Sequence, residues 1–245
     1  EGYSAESRKW MKDEIRKRML SFEIVEESED KMVLQNLLKY EDLPLERAVQ
    51  RMSNIVASMQ KDAMKALQER DDNLAMDIIQ RDFEVDKFYL LIVRQLKAAI
   101  SSPDLAKKVG IDNPRDCMGY RVIVKSIERI ADHAENIAKN ATRIKTQKSV
   151  IVQDTIRMGE STQKILEEVL ERLFTKDIKA ANQIMAEVQE FEIHVVELNE
   201  KLQRTSLDAS DQICLRSILD SLKRTAEYGA DIAEMMINMS VREPQ

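Results

Sequence analysis

The feature that most constrains this chain is a run of small and branched apolar residues at alternating helical spacings. Ile123, Ile127, Ile130, Ala134, Ile137, Ala141 and Ile144 follow one another at steps of 4-3-4-3-4-3. A strand would repeat every second residue, whereas this pattern keeps one seam of a helix turned toward a neighbouring helix at a shallow angle. Adding 95 to each number gives Ile218, Leu222, Thr225, Gly229, Ile232, Met236 and Met239, which keep the same spacing. Around the seam, Asp116, Arg121, Ile123, Ser126, Arg129, Ala131, Ile137 and Ala138 face identical residues at 211, 216, 218, 221, 224, 226, 232 and 233. Ala134 and Gly229 fall at one equivalent place, where a neighbouring helix can approach closely. The chain therefore reads as two three-helix units built on one plan.

Composition supports long helices. The 245 residues include only 5 Gly and 4 Pro, against roughly 17 and 12 at average usage. Sandwiches, barrels and sheets with Gly-rich phosphate loops are poorly served by so few turn residues. Charged residues at 33% and hydrophobic residues at 43%, with 4% aromatic, fit amphipathic helices around an ample core. Residues 4–20 read as a short helix capped by Ser4 or Ser7. Phe22–Glu26 and Lys31–Gln35, separated by Glu27-Ser28-Glu29-Asp30, read as a β-hairpin that needs something to pack on. Pro44 opens a helix to about Arg70, and Asp71-Asp72 breaks it. Further helices are predicted near 73–100, 115–146, 150–174, 178–204 and 209–240, with a loop over 101–114 and a loose tail from Val241 to Gln245. The fold class is all-α: two tandem three-helix bundles (44–146 and 147–245) preceded by a short helix and hairpin over 1–43.

Cys117 and Cys214 form no CxxC pair and no disulfide framework, which fits a reduced, cytoplasmic setting. No uninterrupted apolar run approaches about 18 residues, so no membrane insertion is expected. Residues 1–4 offer neither an initiator Met nor an apolar signal core, and the chain reads as a fragment. The net charge of −6 argues against nucleic-acid binding within these residues.

Carboxylates carry the only site-like pattern. Glu128, Asp132 and Glu135 fall within roughly 60° of one another on the third long helix and are turned away from the Ile127/Ile130 seam. Asp82 and Asp86 form an i, i+4 pair on the preceding long helix. Brought together by antiparallel neighbours, these oxygens suit a hard cation, to which His133 would add a nitrogen. The competing reading is a solvated acidic face, partly neutralised by Arg129 and Lys139. In the second unit Glu227 and Asp231 pair at i, i+4, but Lys223 stands where the first unit has Glu128. Matching Phe83-Glu84-Val85-Asp86 with Phe191-Glu192-Ile193-His194 sets Glu190 and His194 against Asp82 and Asp86. This second cluster of Glu190, His194, Glu227 and Asp231 is expected to bind more weakly.

Other features carry less. The two histidines form neither ExxH nor HExxH and read as surface residues. The two cysteines read as small buried hydrophobes, and the 13 methionines as core filler rather than as a partner-binding groove. The basic residues of 8–18 are interrupted by Asp13 and Glu14 and read as a solvated face.

The segment Ile127-Glu128-Arg129-Ile130-Ala131-Asp132-His133-Ala134-Glu135-Asn136-Ile137-Ala138 resembles the signature helix of the PhoU family. A degenerate copy spans Leu222 to Ala233, and Arg81–Asp86 resembles that family's preceding acidic helix. The resemblance covers about residues 44–240. It implies two three-helix bundles, cytoplasmic regulation of phosphate uptake, and metal ions bound on the bundle surface through E(D)xxxD motifs. The ions it suggests include iron, zinc, magnesium or another divalent cation. Residues 1–40 resemble the linker of archaeal PhoU-like proteins, in which an AbrB-type DNA-binding domain precedes the repeats, so DNA binding is implied only for a longer chain.

The expected function is that of a non-enzymatic adaptor that senses phosphate status and acts on a phosphate ABC transporter or on transcription. A metal-dependent hydrolase of phosphate esters is the alternative, and a structural helical scaffold a third. Against the hydrolase, no general base, phosphate-gripping Arg pair or enclosed pocket is evident. The unpaired hairpin edges and Met-rich helix ends point to a homodimer.

Overall fold

In the computed structural model, residues 3–39, 42–146, 148–175 and 177–241 are described. Among them are eight helices and one two-stranded antiparallel hairpin. The order is α1 (Ala5–Arg18), β1 (Phe22–Glu27), β2 (Met32–Asn36), α2 (Leu45–Glu69), α3 (Asp72–Ser101), α4 (Pro103–Val109), α5 (Asp116–Ala141), α6 (Val150–Arg172), α7 (Ile178–Gln203) and α8 (Ala209–Ser240). The fold is therefore helical, as expected. No described helix is long and apolar enough to cross a membrane. Of the expected loose tail, residues 242–245 lie outside the described residues.

Contacts group the chain into two compact units. One comprises Glu1–Met52 with Phe83–Cys117, the other Ser53–Asp82 with Met118–Gln245. In the first, Ser4 caps α1 by accepting from the Ser7 N–H at 3.1 Å. The hairpin finds the support it needs. Lys12 pairs with Glu27 at 2.6 Å, the Tyr3 N–H reaches the Glu29 carbonyl, and the Arg94 guanidinium lies 4.8 Å from the Phe22 ring. A bulge between Ile24 and Glu26 interrupts the pairing and leaves Val25 exposed. Buried Gln95 donates its amide N–H to the Leu43 carbonyl at 2.5 Å, tying α3 to the segment that enters α2.

The predicted loop over 101–114 contains a helix instead. Pro103 takes the first turn of α4, where its missing N–H costs nothing, and Gly110 ends it with φ +83. Ala106 and Val109 bury the inner face of this helix. The segment reads as a loop in the sequence because the seven residues of α4 show too little periodicity.

In the second unit, α6, α7 and α8 pack pairwise into a three-helix bundle. Asp71 accepts from the Asn73 and Leu74 N–H groups at 3.0 Å each, so it both breaks the chain after α2 and caps α3. Across the chain, seam residues Ile123 to Ile144 are all buried, and so are their counterparts Ile218 to Met236. The other helices repeat too, at offsets of their own. Adding 103 carries buried Ala48, Val49, Met52, Val56 and Met59 of α2 onto buried Ile151, Val152, Thr155, Gly159 and Thr162 of α6. Adding 106 carries buried Ala75, Ile78, Val85, Ile92 and Leu96 of α3 onto buried Ala181, Ile184, Phe191, Leu198 and Leu202 of α7. The fall from 106 to 95 at the next helix marks extra residues in the first repeat, and that is where α4 sits.

Helices α5 and α8 run antiparallel. Asn140 donates to Ser217 Oγ at 3.2 Å, and a Cβ at Gly119 would meet Met239 Sδ at 2.5 Å. Met64 fills the notch at Gly159 in the same way, between α2 and α6. Methionine is the natural occupant of such irregular gaps. The third long helix stops at Ala141, short of the expected 146. The cause is Asp211, which is fully buried and accepts from the Lys145 and Thr146 N–H groups at 3.0 and 2.9 Å. Burial pushes this carboxyl up, but those backbone donors overcome it and hold it below its ordinary 3.8.

A carboxyl held low contributes stability that is complete above its unfolded value and is lost as pH falls through the folded one. Asp211→Ala is expected to destabilise the protein by about 2 kcal/mol or more at neutral pH, and to lessen its loss of stability below about pH 4. Denaturant unfolding of both proteins at pH 7 and pH 3.5 checks this. An equal effect at the two pH values would show that the clamp does not depend on the charge.

Candidate functional site

The acidic stripe of α5 is laid down by helical spacing, and the same spacing supplies its counter-charges. Glu128 is largely buried and accepts from Lys125 one turn earlier. Arg129 lies 4.0 Å from Glu128 and 3.8 Å from Asp132, and Lys139 pairs with Glu135 at 2.5 Å. Pairs at i, i+3 and i, i+4 are the ordinary way for a helix to satisfy its own charges. Arg129 and Lys139 are the neutralising residues that the sequence suggested. Lys125 was missed, although its position three residues before Glu128 was the available signal. Asp82 and Asp86 are half-buried on α3.

The second repeat has a different arrangement. Lys223 bridges Glu227 on its own helix at 2.7 Å and Glu192 on α7 at 3.3 Å, and Arg224 adds a bond to Glu227 at 2.9 Å. Burial pushes the Glu227 carboxyl up, but the donors Lys223 and Arg224 hold it below the usual range. The Glu227 hydrogen bond raises Lys223 in turn. Asp231 is pushed up by partial desolvation and by Glu234 and Glu227. Glu190 and His194 are both exposed on α7.

The α7 residue facing the α8 stripe is thus Glu192. The pairing of Phe83–Asp86 with Phe191–His194 fails on its burial phase. Phe83 is 42% exposed where Phe191 is 4%, and Val85 is 0% where Ile193 is 61%. At the offset of 106, Asp86 corresponds to Glu192 and Asp82 to buried Val188. The sequence match followed a shared Phe-acid pair, whereas the helix obeys its core-facing period. Among the described residues, no three Asp, Glu, His or Cys side chains converge as a group able to hold a metal ion.

His133 departs from its expected surface role. Its ring is half-buried and stacks 5.8 Å from the Tyr228 ring, tilted by 30°. Tyr228 is the repeat equivalent of His133, so the antiparallel helices bring one position of the plan onto its own copy. The Nδ1 atom is buried without a hydrogen-bond partner. Burial pushes this imidazole below its ordinary 6.5, opposed by Asp220 and assisted by Arg224 and Arg129. Cys117 and Cys214 are buried, and burial raises both thiols, in keeping with inert core residues.

A base held low in the fold lends stability above its unfolded value, and that stability is lost as pH falls below it. Melting temperature should therefore decline between about pH 6.5 and 5. His133→Phe keeps the ring stack and removes the proton site, so its melting temperature should be flatter over that window. Thermal unfolding at half-unit pH steps measures this, and an unchanged slope would assign the decline to other groups. In a second test, Lys223→Ala should move the Glu227 carboxyl upward in a carboxylate NMR titration.

A family model described as the PhoU domain matches residues 49–141 and again 155–236. A phosphate-specific transport system accessory protein PhoU homolog of Clostridium acetobutylicum is 25% identical over 135 residues, covering 55% of this chain and 60% of that protein. Its namesake in Caulobacter vibrioides is 35% identical over 98 residues, covering 39% and 38%. That of Zymomonas mobilis is 28% identical over 182 residues, covering 71% and 73%. The chain thus spans less than two thirds of the first two of these relatives. The crystal structure of the phosphate transport system regulatory protein PhoU from Streptococcus pneumoniae superposes with a TM-score of 0.70 at 19% identity, covering 80% of this chain and 92% of that one. PhoU from Pseudomonas aeruginosa gives a TM-score of 0.68 at 19% identity, over 80% and 94%. Two domain matches spanning most of the chain, on a fold shared with solved PhoU structures, settle its membership: the chain belongs to the PhoU family.

Proposed function

We propose that this protein is a non-enzymatic regulator of phosphate uptake, an adaptor that acts on a phosphate transport system through its helical surfaces. The observation that carries the reading is the double PhoU-domain match, together with relatives named as accessory proteins of phosphate-specific transport. The charge arrangement agrees with it. The α5 carboxylates accept from cations of their own helix, as a solvated and partly neutralised face does, whereas a hydrolase needs carboxylates free to hold ions or move protons. Deleting the gene in the source organism should uncouple phosphate uptake from external phosphate, measured with radiolabelled phosphate, and this chain with any native flanking segments should restore it. Uptake with the same phosphate dependence in the deletion strain would reject the reading.

Metal binding is the second reading, supported by the stripe of Glu128, Asp132 and Glu135 and by the family resemblance. In the present arrangement the residues do not fit an ion, because Lys125, Arg129 and Lys139 already neutralise them. An incoming divalent ion would have to displace those cations. If the stripe takes up metal, Lys125→Ala should raise affinity severalfold and Asp132→Ala should lower it. Calorimetric titration with manganese and zinc checks both, and affinities unmoved by either change would exclude the stripe as the site.

A further inference from the structure

We propose that the crossing of α2 over α6 is a joint with two positions, and that an amide pair between Gln60 and Gln163 closes in the second. Gln60 is fully buried on α2, yet neither its amide nitrogen nor its amide oxygen has a hydrogen-bond partner. Ser53, seven residues earlier on the same face, is also buried with an unpartnered hydroxyl. Across the crossing, Gln163 of α6 donates to the Ala57 carbonyl at 3.4 Å and to Glu167 at 2.7 Å, while its own amide oxygen is buried without a donor. Orphaned polar atoms in a core are costly, and folded proteins keep few of them. The two glutamines account for three.

The repeat places these amides on facing helices, since adding 103 carries Gln60 onto Gln163. Ala57, Gln60 and Met64 share one face of α2 at i, i+3 and i+7. The first is touched by Gln163, and the last fills the notch at Gly159. The helices therefore run antiparallel here, with Gln60 between two contacts to α6. Gln163 stands opposite Ala57, about 4.5 Å of helical rise short of Gln60. A slide of α2 along α6 by a turn or less brings the two amides level. Gln60 Nε2 then donates to Gln163 Oε1, and the Gln163 N–H now on Ala57 turns to Gln60 Oε1. All three orphans gain partners, and the released Ala57 carbonyl keeps its bond within α2. The track on α6 permits the slide. Gly159 has no side chain, Thr155 and Thr162 on its face return their hydroxyls to their own helix, and Met64 is flexible enough to leave the notch. Packed helices sliding in this way are a recurrent means of switching. The first position keeps the thioether seated and the amides unpaired; the second reverses both. This inference is independent of the transport assignment.

The test reads the methyl group of Met64 by carbon-13 relaxation dispersion. In the unaltered protein it should exchange between two environments in microseconds to milliseconds. Gln60→Leu and Gln163→Leu each remove one side of the amide pair, and each should abolish that exchange. A buried amide with a single fixed arrangement would give no exchange to abolish. Gly159→Ala sets a Cβ against Met64 and should drive the joint into its second position. The Gln60 side-chain amide protons should then exchange with solvent roughly tenfold more slowly than in the unaltered protein. Adding Gln163→Leu to Gly159→Ala should reverse that slowing. Circular dichroism checks that every variant remains helical. Should Gly159→Ala misfold, Met64→Ala empties the notch instead and should slow the same protons. A Met64 methyl without exchange, exchange that survives Gln60→Leu or Gln163→Leu, or Gln60 amide protons unmoved by releasing the notch would each overturn the proposal.

Discussion

The second unit depends on the antiparallel seam between α5 and α8. The two helices carry the same apolar spacing and lie head to tail, so residues of equal rank in the repeat are brought near one another. His133 stacking on Tyr228 is the visible result. Small residues make the approach possible, and a few polar contacts fix its register. Asp211 clamps the segment leaving α5, and the Asn140–Ser217 bond ties the last turn of α5 to the early part of α8. The neutral imidazole suits His133, because a protonated one would be half-buried and would face the like charges of Arg224 and Arg129.

Electrostatics then separates the two halves that packing makes alike. The first repeat has Glu128 where the second has Lys223. In α5 the stripe is neutralised within one helix by Lys125, Arg129 and Lys139. In α8 the neutralising residue is part of the stripe and reaches across to Glu192. One repeat therefore carries a face neutralised from within, and the other an ion-pair bridge between helices. An adaptor with two such faces can distinguish partners that a symmetric molecule could not.

The fold was legible because its signals are long. Seams of seven residues, helices of more than twenty and the cap residues Ser4 and Asp71 all act through local spacing, which a sequence displays directly. What escaped were features that depend on few residues or on partners far along the chain. The seven residues of α4 are too few to show a period. The end of α5 is set by Asp211, some seventy residues later. The acidic residues were readable as a stripe, yet their pairing was not. Glu192 was displaced by Glu190 and His194 because a shared Phe suggested one register while the buried positions obey another. His133 was read as a surface residue because nothing near it in sequence reveals Tyr228.

The glycine notches carry one more consequence. Met64 and Met239 lie with their sulfurs close over Gly159 and Gly119, where a side chain on either glycine would clash. A thioether fits such a notch because it is apolar and slender, and a sulfoxide is neither. Oxidation of Met64, which is buried, or of half-buried Met239 would place a polar oxygen beside a notch shaped for a thioether. The crossings α2–α6 and α5–α8 would then loosen together, although no acid, base or ligand had touched them. At these two crossings, sensitivity to oxidants is therefore tied to two residues that have no side chain at all.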